Sequence, residues 1–194
     1  MPPAIRSEQS RQAIIEAAVG LCAERGFASI TIEGIAARAG VGKTTIYRWW
    51  PSKAAILIEG VENARDAAAG FPDTGDIRAD LVAQTSSVMQ LFNTAFGTIW
   101  RGLIGAAQSD EDAAEGVTRI LRVSIDACVA RLAKARDSGQ IRADLDLEMA
   151  VELLYGPIYH TWLLRTRPLP EAYMETVIAT LLPALVPPPD KPAP

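Results

Sequence analysis

The chain has 194 residues, 49% of them apolar and 22% charged, an ordinary globular composition that excludes a fibrous or wholly disordered protein. Its two cysteines exclude a disulfide framework, and the longest uncharged stretch, residues 81–100, holds too many Gln, Ser, Thr and Asn side chains to span a membrane. The net charge of −4 is uneven: residues 1–55 sum to +3 and the remainder to −7, so a basic head precedes an acidic body, a pattern that suggests an anionic partner such as DNA for the head.

Residues 1–13 contain no apolar run for a secretory signal, so a reducing cytoplasm is the expected location. The periodicity is helical throughout, with no strand-like alternation, and the expected fold class is all-α. Ser7 is placed to cap a first helix whose apolar positions Ile14, Ala18, Leu21 and Cys22 recur at helical spacing, and Gly26 ends it. Thr31 caps a short second helix through Ala39, and Gly40 supplies a turn. A third short helix covers residues 43–50 and stops before Pro51, because proline disfavours helical geometry in its predecessor. Ser52 opens a fourth over residues 53–69, ended by Gly70 and Pro72.

The remainder reads as a second helical unit. Ile77, Leu81, Thr85, Val88 and Phe92 share one helical face; Phe96, Ile99, Trp100 and Leu103 share another. A long helix opens at residues 110–112 and ends at Gly139. Asp146 caps a helix over residues 147–166, and Pro170 or Glu171 opens the last, to Val186. The terminal eight residues hold five prolines and read as an extended tail, its PxxP at residues 189–192 included.

Residues 31–50 carry the chemistry. Two short helices around a glycine turn make a helix-turn-helix, in which the first helix, with Ile32, Ile35 and Ala36 inward, braces the second. The second helix can then lie in the major groove of DNA. Lys43, Thr44, Thr45 and Arg48 are hydrogen-bonding residues where a base-reading helix needs them, and Tyr47, Trp49 and Lys53 can reach phosphates and sugars. A helical hairpin buried in a bundle would instead place apolar residues at 43–45 and 48. A rival motif overlaps: Ala37-Arg38-Ala39-Gly40-Val41-Gly42-Lys43-Thr44 satisfies a permissive phosphate-loop pattern. That reading requires a buried strand before the loop and a long helix after it, and neither is expected here. An enzyme of another helical kind has no catalytic constellation to name, since His160 is the one histidine and has no partner set. No metal or cofactor site is expected.

The ordered run Thr31-Ile32-Glu33-Gly34-Ile35-Ala36-Ala37-Arg38-Ala39-Gly40-Val41, followed by Thr45-Ile46-Tyr47-Arg48-Trp49-Trp50-Pro51-Ser52-Lys53, resembles the N-terminal signature of the tetracycline-repressor (TetR) family. Residues 139–146 and 153–159 are similar to a common type of C-terminal domain in that family. Gly42 stands where a Ser or Thr is frequent, and Thr44 where a Gly or Ala is. The resemblance implies an all-α homodimeric repressor with an N-terminal three-helix head, residues 1–52, an effector-binding and dimerisation domain, residues 53–186, and a proline-rich tail, 187–194. It also implies that Thr31, Thr45, Tyr47, Trp49 and Lys53 contact the DNA backbone while Lys43, Thr44 and Arg48 approach bases, and that a small effector changes the separation of the two heads.

Two further expectations rest on the residues themselves. Residues 153–164 are uncharged and apolar around most of a helix, and the last helix adds a second apolar stripe. Leu154, Ile158, Met174, Val177, Ile178, Leu181 and Leu185 are therefore the expected dimer interface. Met89, Phe92, Phe96, Trp100, Cys128, Tyr155, Tyr159 and Trp162 form an aromatic and sulfur-rich set with few charges. They are the expected lining of a pocket for a largely apolar effector, with Gly156-Pro157 kinking its helix beside it.

Overall fold

A computed structural model describes residues 3–66, 71–167, 170 and 172–187. Among these the chain forms nine α-helices and a short 3₁₀ turn, with no strand. The expected helix end at Ala69 and Gly70, residue Glu171, and the tail beyond Pro187 lie outside the described residues. The chain divides into two compact units, residues 1–68 with 92–121, and residues 69–91 with 122–194.

The first unit holds α1 (Pro3–Arg25), the 3₁₀ turn Phe27–Ser29, α2 (Ile32–Ala39), α3 (Lys43–Tyr47), α4 (Lys53–Asp66) and α6 (Ala95–Ala106). α1 begins at Pro3 rather than at Ser7, because a proline in the first turn lacks only an N–H that has no helical partner there anyway. Its apolar face buries Ile14, Ala18, Leu21 and Cys22, and α1 packs on α2, α4 and α6. Gly102 lets α6 approach the 3₁₀ turn: a Cβ there would sit 2.4 Å from that of Phe27. Thr31 and Ser52 cap α2 and α4 through their hydroxyls, which accept from Gly34 N at 3.1 Å and Ala55 N at 3.2 Å. Burial pushes the Cys22 thiol up to about 11, so it serves as a small apolar filler.

The second unit holds α5 (Ile77–Phe92, up to residue 91), the later part of α7 (Glu111–Asp137), α8 (Leu147–Leu164) and α9 (Tyr173–Leu185). Ile77, Leu81, Cys128, Leu132, Ile141, Val151, Leu154 and Ile178 belong to one buried cluster. Asp146 caps α8 by accepting from Met149 N at 3.1 Å, and the helix runs unbroken through Pro157. The Tyr173 hydroxyl donates to the Pro157 carbonyl at 3.2 Å and lies 3.1 Å from Thr161 Oγ1, tying the start of α9 to α8.

This unit also contains a buried ionic network. The carboxylate of Asp80, fully buried on α5, is hydrogen-bonded to the Arg131 guanidinium of α7 and accepts from Thr74 Oγ1 at 2.7 Å and Thr74 N at 3.1 Å. Arg131 Nε also donates to the Pro72 carbonyl at 3.0 Å. The segment entering α5 is thereby fastened to both helices.

Candidate nucleic-acid interface

The turn between α2 and α3 is built from local chemistry. Gly40 adopts the left-handed conformation, φ 68°, that a side chain would resist, and Val41 N donates back to Ala36 O at 3.0 Å. Ile35, Ala36 and Ile46 are buried where the two helices meet the rest of the unit. Their burial turns the opposite side of α3 outward: Lys43, Thr44, Tyr47 and Arg48 are exposed, and Thr45 and Trp49 half-buried. α3 is shorter than expected, ending at Tyr47. Trp49 N and Trp50 N both donate to Ile46 O at 3.0 Å, tightening the chain ahead of Pro51.

Behind α3, Trp50 is buried, meets Trp49 edge-to-face with ring centres 5.4 Å apart, and donates its indole N–H to Glu59 Oε2 at 2.9 Å. Arg11 approaches the other oxygen of Glu59 at 2.8 Å. The Lys43 ammonium lies 3.0 Å from Glu33 Oε1, and Arg38 pairs with Glu24 at 2.7 Å. The backbone N–H at Glu33 and then the Lys43 ammonium hold the Glu33 carboxyl below its usual range. Arg48 makes no ion pair or side-chain hydrogen bond among the described residues.

Two of the residues expected at the DNA backbone also have structural duties. The Thr31 hydroxyl caps α2. Lys53 donates to the carbonyls of Phe27 at 2.8 Å and Ile30 at 2.9 Å and sits 4.6 Å from the Phe27 ring centre, closing the loop between α1 and α2. Lys53→Met is therefore expected to lower the stability of the DNA-free protein by about 1–3 kcal/mol, since two carbonyls lose a charged donor. Urea unfolding without DNA checks this; an unchanged midpoint would leave Lys53 no structural role.

The eight residues expected to line an effector pocket fall in both units. Phe92, Phe96 and Trp100 form a stacked ladder in the first, with successive ring centres 6.3 Å apart. Met89, Cys128, Tyr155, Tyr159 and Trp162 belong to the second. There Gln84 and Cys128 lie beside Tyr155, and Tyr159 meets Trp162 edge-to-face at 6.1 Å. Burial pushes the Cys128 thiol up to about 12, and burial with the neighbouring thiol raises the Tyr155 hydroxyl, so both stay protonated. Gln84 carried no signal in the sequence beyond being a polar residue in an apolar helix.

Of the residues expected between protomers, Leu154, Ile158, Met174, Ile178 and Leu185 are buried within the single chain, and Val177 and Leu181 half-buried. Five of the seven therefore serve the protomer's own core. A helix apolar all round carries no polar stripe to show which side turns inward, and packing turned this one so that Met149, Leu153 and Leu164 are 51%, 48% and 62% exposed.

A capped helix, a left-handed glycine turn and a second helix with a cationic, hydrogen-bonding outer face define a helix-turn-helix DNA-binding regulator. Residues 14–59 match the family described as bacterial regulatory proteins, tetR family, and residues 71–181 match the tetracyclin repressor-like C-terminal domain. The chain belongs to the tetR family of transcriptional regulators, whose members are not enzymes. It is 33% identical over 174 residues to the HTH-type transcriptional regulator YdeS of Bacillus subtilis, covering 89% of this chain and 88% of that protein. It is 27% identical over 186 residues to a DNA-binding transcriptional repressor TetR of Mycobacteroides abscessus, covering 94% and 97%. The crystal structure of the TetR family transcription regulator SCO0332 superposes with a TM-score of 0.76 at 37% identity, covering 92% of this chain and 100% of that one. The phosphate-loop alternative also lacks its structural context: α2 precedes the turn where a strand is required, and α3 has five residues. No helix among the described residues is long and apolar enough to cross a membrane.

Proposed function

We propose that this regulator is a ligand-responsive repressor, a cytoplasmic homodimer that binds a palindromic operator and leaves it when a small, largely apolar effector binds. The outer face of α3 carries the reading, with Arg48 exposed and uncommitted at its end beside Tyr47, Thr44 and Lys43. Half-sites about one helical turn apart on one face of the duplex suit two such heads. The repressor sense is supported by the likeness to the M. abscessus transcriptional repressor. Residues 1–52 are the proposed DNA-reading part, with Thr31, Thr45, Tyr47, Trp49 and Lys53 toward the backbone and Lys43, Thr44 and Arg48 toward bases. Residues 53–186 are the proposed effector and dimerisation part. The apolar character of the effector is inferred from the aromatic and sulfur residues there, with the neighbouring Gln84 and Tyr155 side chains offering polar contacts.

For the dimer, the exposed side of α8 is the better face: Met149, Leu153, Gly156, His160 and Leu164 recur at helical spacing and are all exposed. A second copy covering this stripe would remove its large apolar groups from water. Leu153→Glu is expected to convert the dimer to monomer in sedimentation at micromolar concentration with helicity retained. A monomeric wild-type protein, or a dimeric variant, would refute this face.

The function is tested by selecting duplexes from a randomised library with the wild-type protein, then titrating the selected duplex with a panel of apolar and aromatic small molecules. A palindromic selected sequence, displaced by one of them, is the expected result. The same compound must bind the DNA-bound protein more weakly by the same factor. Failure to select any sequence would overturn the DNA-reading assignment; a bound compound that leaves operator affinity unchanged would overturn the switch.

A further inference from the structure

Much of the positive charge in the first unit is already paired inside it. Arg11 meets Glu59 at 2.8 Å, Arg38 meets Glu24 at 2.7 Å, and Lys53 is held by two carbonyls. Lys43 differs from these because it opens the helix that faces DNA, and its partner Glu33 is the second residue of α2. The pair spans the front of the helix-turn-helix, joining the N-terminal ends of its two helices at 3.0 Å with both side chains more than half exposed, 55% and 63%. An anion at this place is costly for a surface that approaches phosphates, since like charges repel. Glu33 is tolerated there because the Lys43 ammonium neutralises it.

We propose that Glu33 is a specificity-determining positioning residue: its carboxylate stands in for a DNA phosphate, holding the Lys43 ammonium to α2 and withholding it from the backbone of non-cognate DNA. Binding to random sequence is driven by phosphate contacts that release counterions, each steepening the salt dependence by about 0.9. A lysine neutralised by Glu33 gives little of that gain, and moving it to a phosphate would leave Glu33 bare among phosphates. On a matched sequence α3 is seated by base contacts in one register, where the Lys43 ammonium, with three donors, keeps Glu33 while turning another N–H to a base edge. On random sequence the head samples many registers, and a released Lys43 would find a phosphate in most of them. Glu33 therefore lowers random binding more than matched binding. The inference rests on the DNA-reading assignment of α3.

The test uses the full-length protein, the duplex it selects from a randomised library, and a scrambled duplex of equal length, with affinity followed by fluorescence anisotropy across a salt series. Glu33→Gln is expected to tighten scrambled-DNA binding about two- to five-fold, the range of an exposed ion pair. Its salt slope on scrambled DNA should steepen by about 0.9 per head. The selected duplex should gain less, so that the ratio of the two affinities falls, and Glu33→Asp should restore the wild-type ratio. In a Lys43→Met background Glu33→Gln only removes a bare carboxylate, so it should tighten selected and scrambled DNA alike and leave their ratio unchanged. An unchanged slope and ratio in Glu33→Gln would overturn the proposal, as would the same fall in ratio without Lys43, because Glu33 would then act on specificity without holding Lys43. Lys43→Met alone reads the pair from the other side, even if Glu33→Gln fails to fold. It should weaken the selected duplex without flattening the slope on scrambled DNA, and a slope flattened by about 0.9 would show Lys43 already serving phosphates and overturn the idea. A wild-type protein that selects no duplex would remove the DNA-reading assignment itself, and this inference with it.

Discussion

Asp80→Ala is expected to destabilise the second unit by about 3 kcal/mol, because it leaves the Arg131 guanidinium, only 4% exposed, with the half-exposed Asp73 carboxylate at 3.4 Å as its remaining counter-charge. Thr74 loses the acceptor for its hydroxyl and backbone N–H at the same time. Urea unfolding followed by circular dichroism reads the loss. Replacing both charges with apolar residues, Asp80→Leu with Arg131→Met, should cost much less than either single change, since no buried charge is then left unpaired. If the double variant is as unstable as the singles, the ion pair is not what holds the segment at residues 72–74 to α5 and α7.

The same carboxylate sets a pH dependence. Burial alone would raise the Asp80 pKa, but the hydrogen bonds from Thr74 and Arg131 outweigh it and hold it below the usual carboxylate range. A group whose folded pKa is depressed binds fewer protons in the folded than in the unfolded state. Its contribution is therefore complete above the ordinary Asp value, about 3.9, and is lost as pH falls through the lower folded value. Wild-type stability should drop in that acid range, and the Asp80→Asn variant should show a flatter acid limb. Parallel acid limbs would assign the acid loss to other carboxylates.

Arg48→Ala is expected to cost about 1–3 kcal/mol on the selected duplex and to relax base preference at one position in each half-site, the behaviour of an arginine paired with guanine. Its effect on scrambled DNA should be limited to the loss of one cation. Unlike Lys53, Arg48 has no internal partner among the described residues, so the fold should survive its removal unchanged. Repeating the sequence selection with the variant gives the readout. Equal losses on selected and scrambled DNA would make Arg48 a phosphate contact instead.

The helix-turn-helix was legible because its determinants lie within a few residues of one another. Thr31 caps from three residues away, Gly40 turns the chain by its own backbone conformation, and the polar side of α3 is set by which neighbours in sequence are apolar. The caps at Ser52 and Asp146 are local in the same way. Hydrogen-bonding preference and helical period act over three or four residues, so sequence alone determines these features. It determines much less where partners are distant: Lys53 closes on Phe27 and Ile30, Lys43 on Glu33, and Arg131 on Asp80, 51 residues away. No local spacing announces such pairs, because they meet only once helices pack. The same holds for α8, whose apolar residues surround the helix. With no polar stripe to orient it, the inward turn of Leu154 and Ile158 and the outward turn of Met149 and Leu153 were set by the shape of the core it packs into.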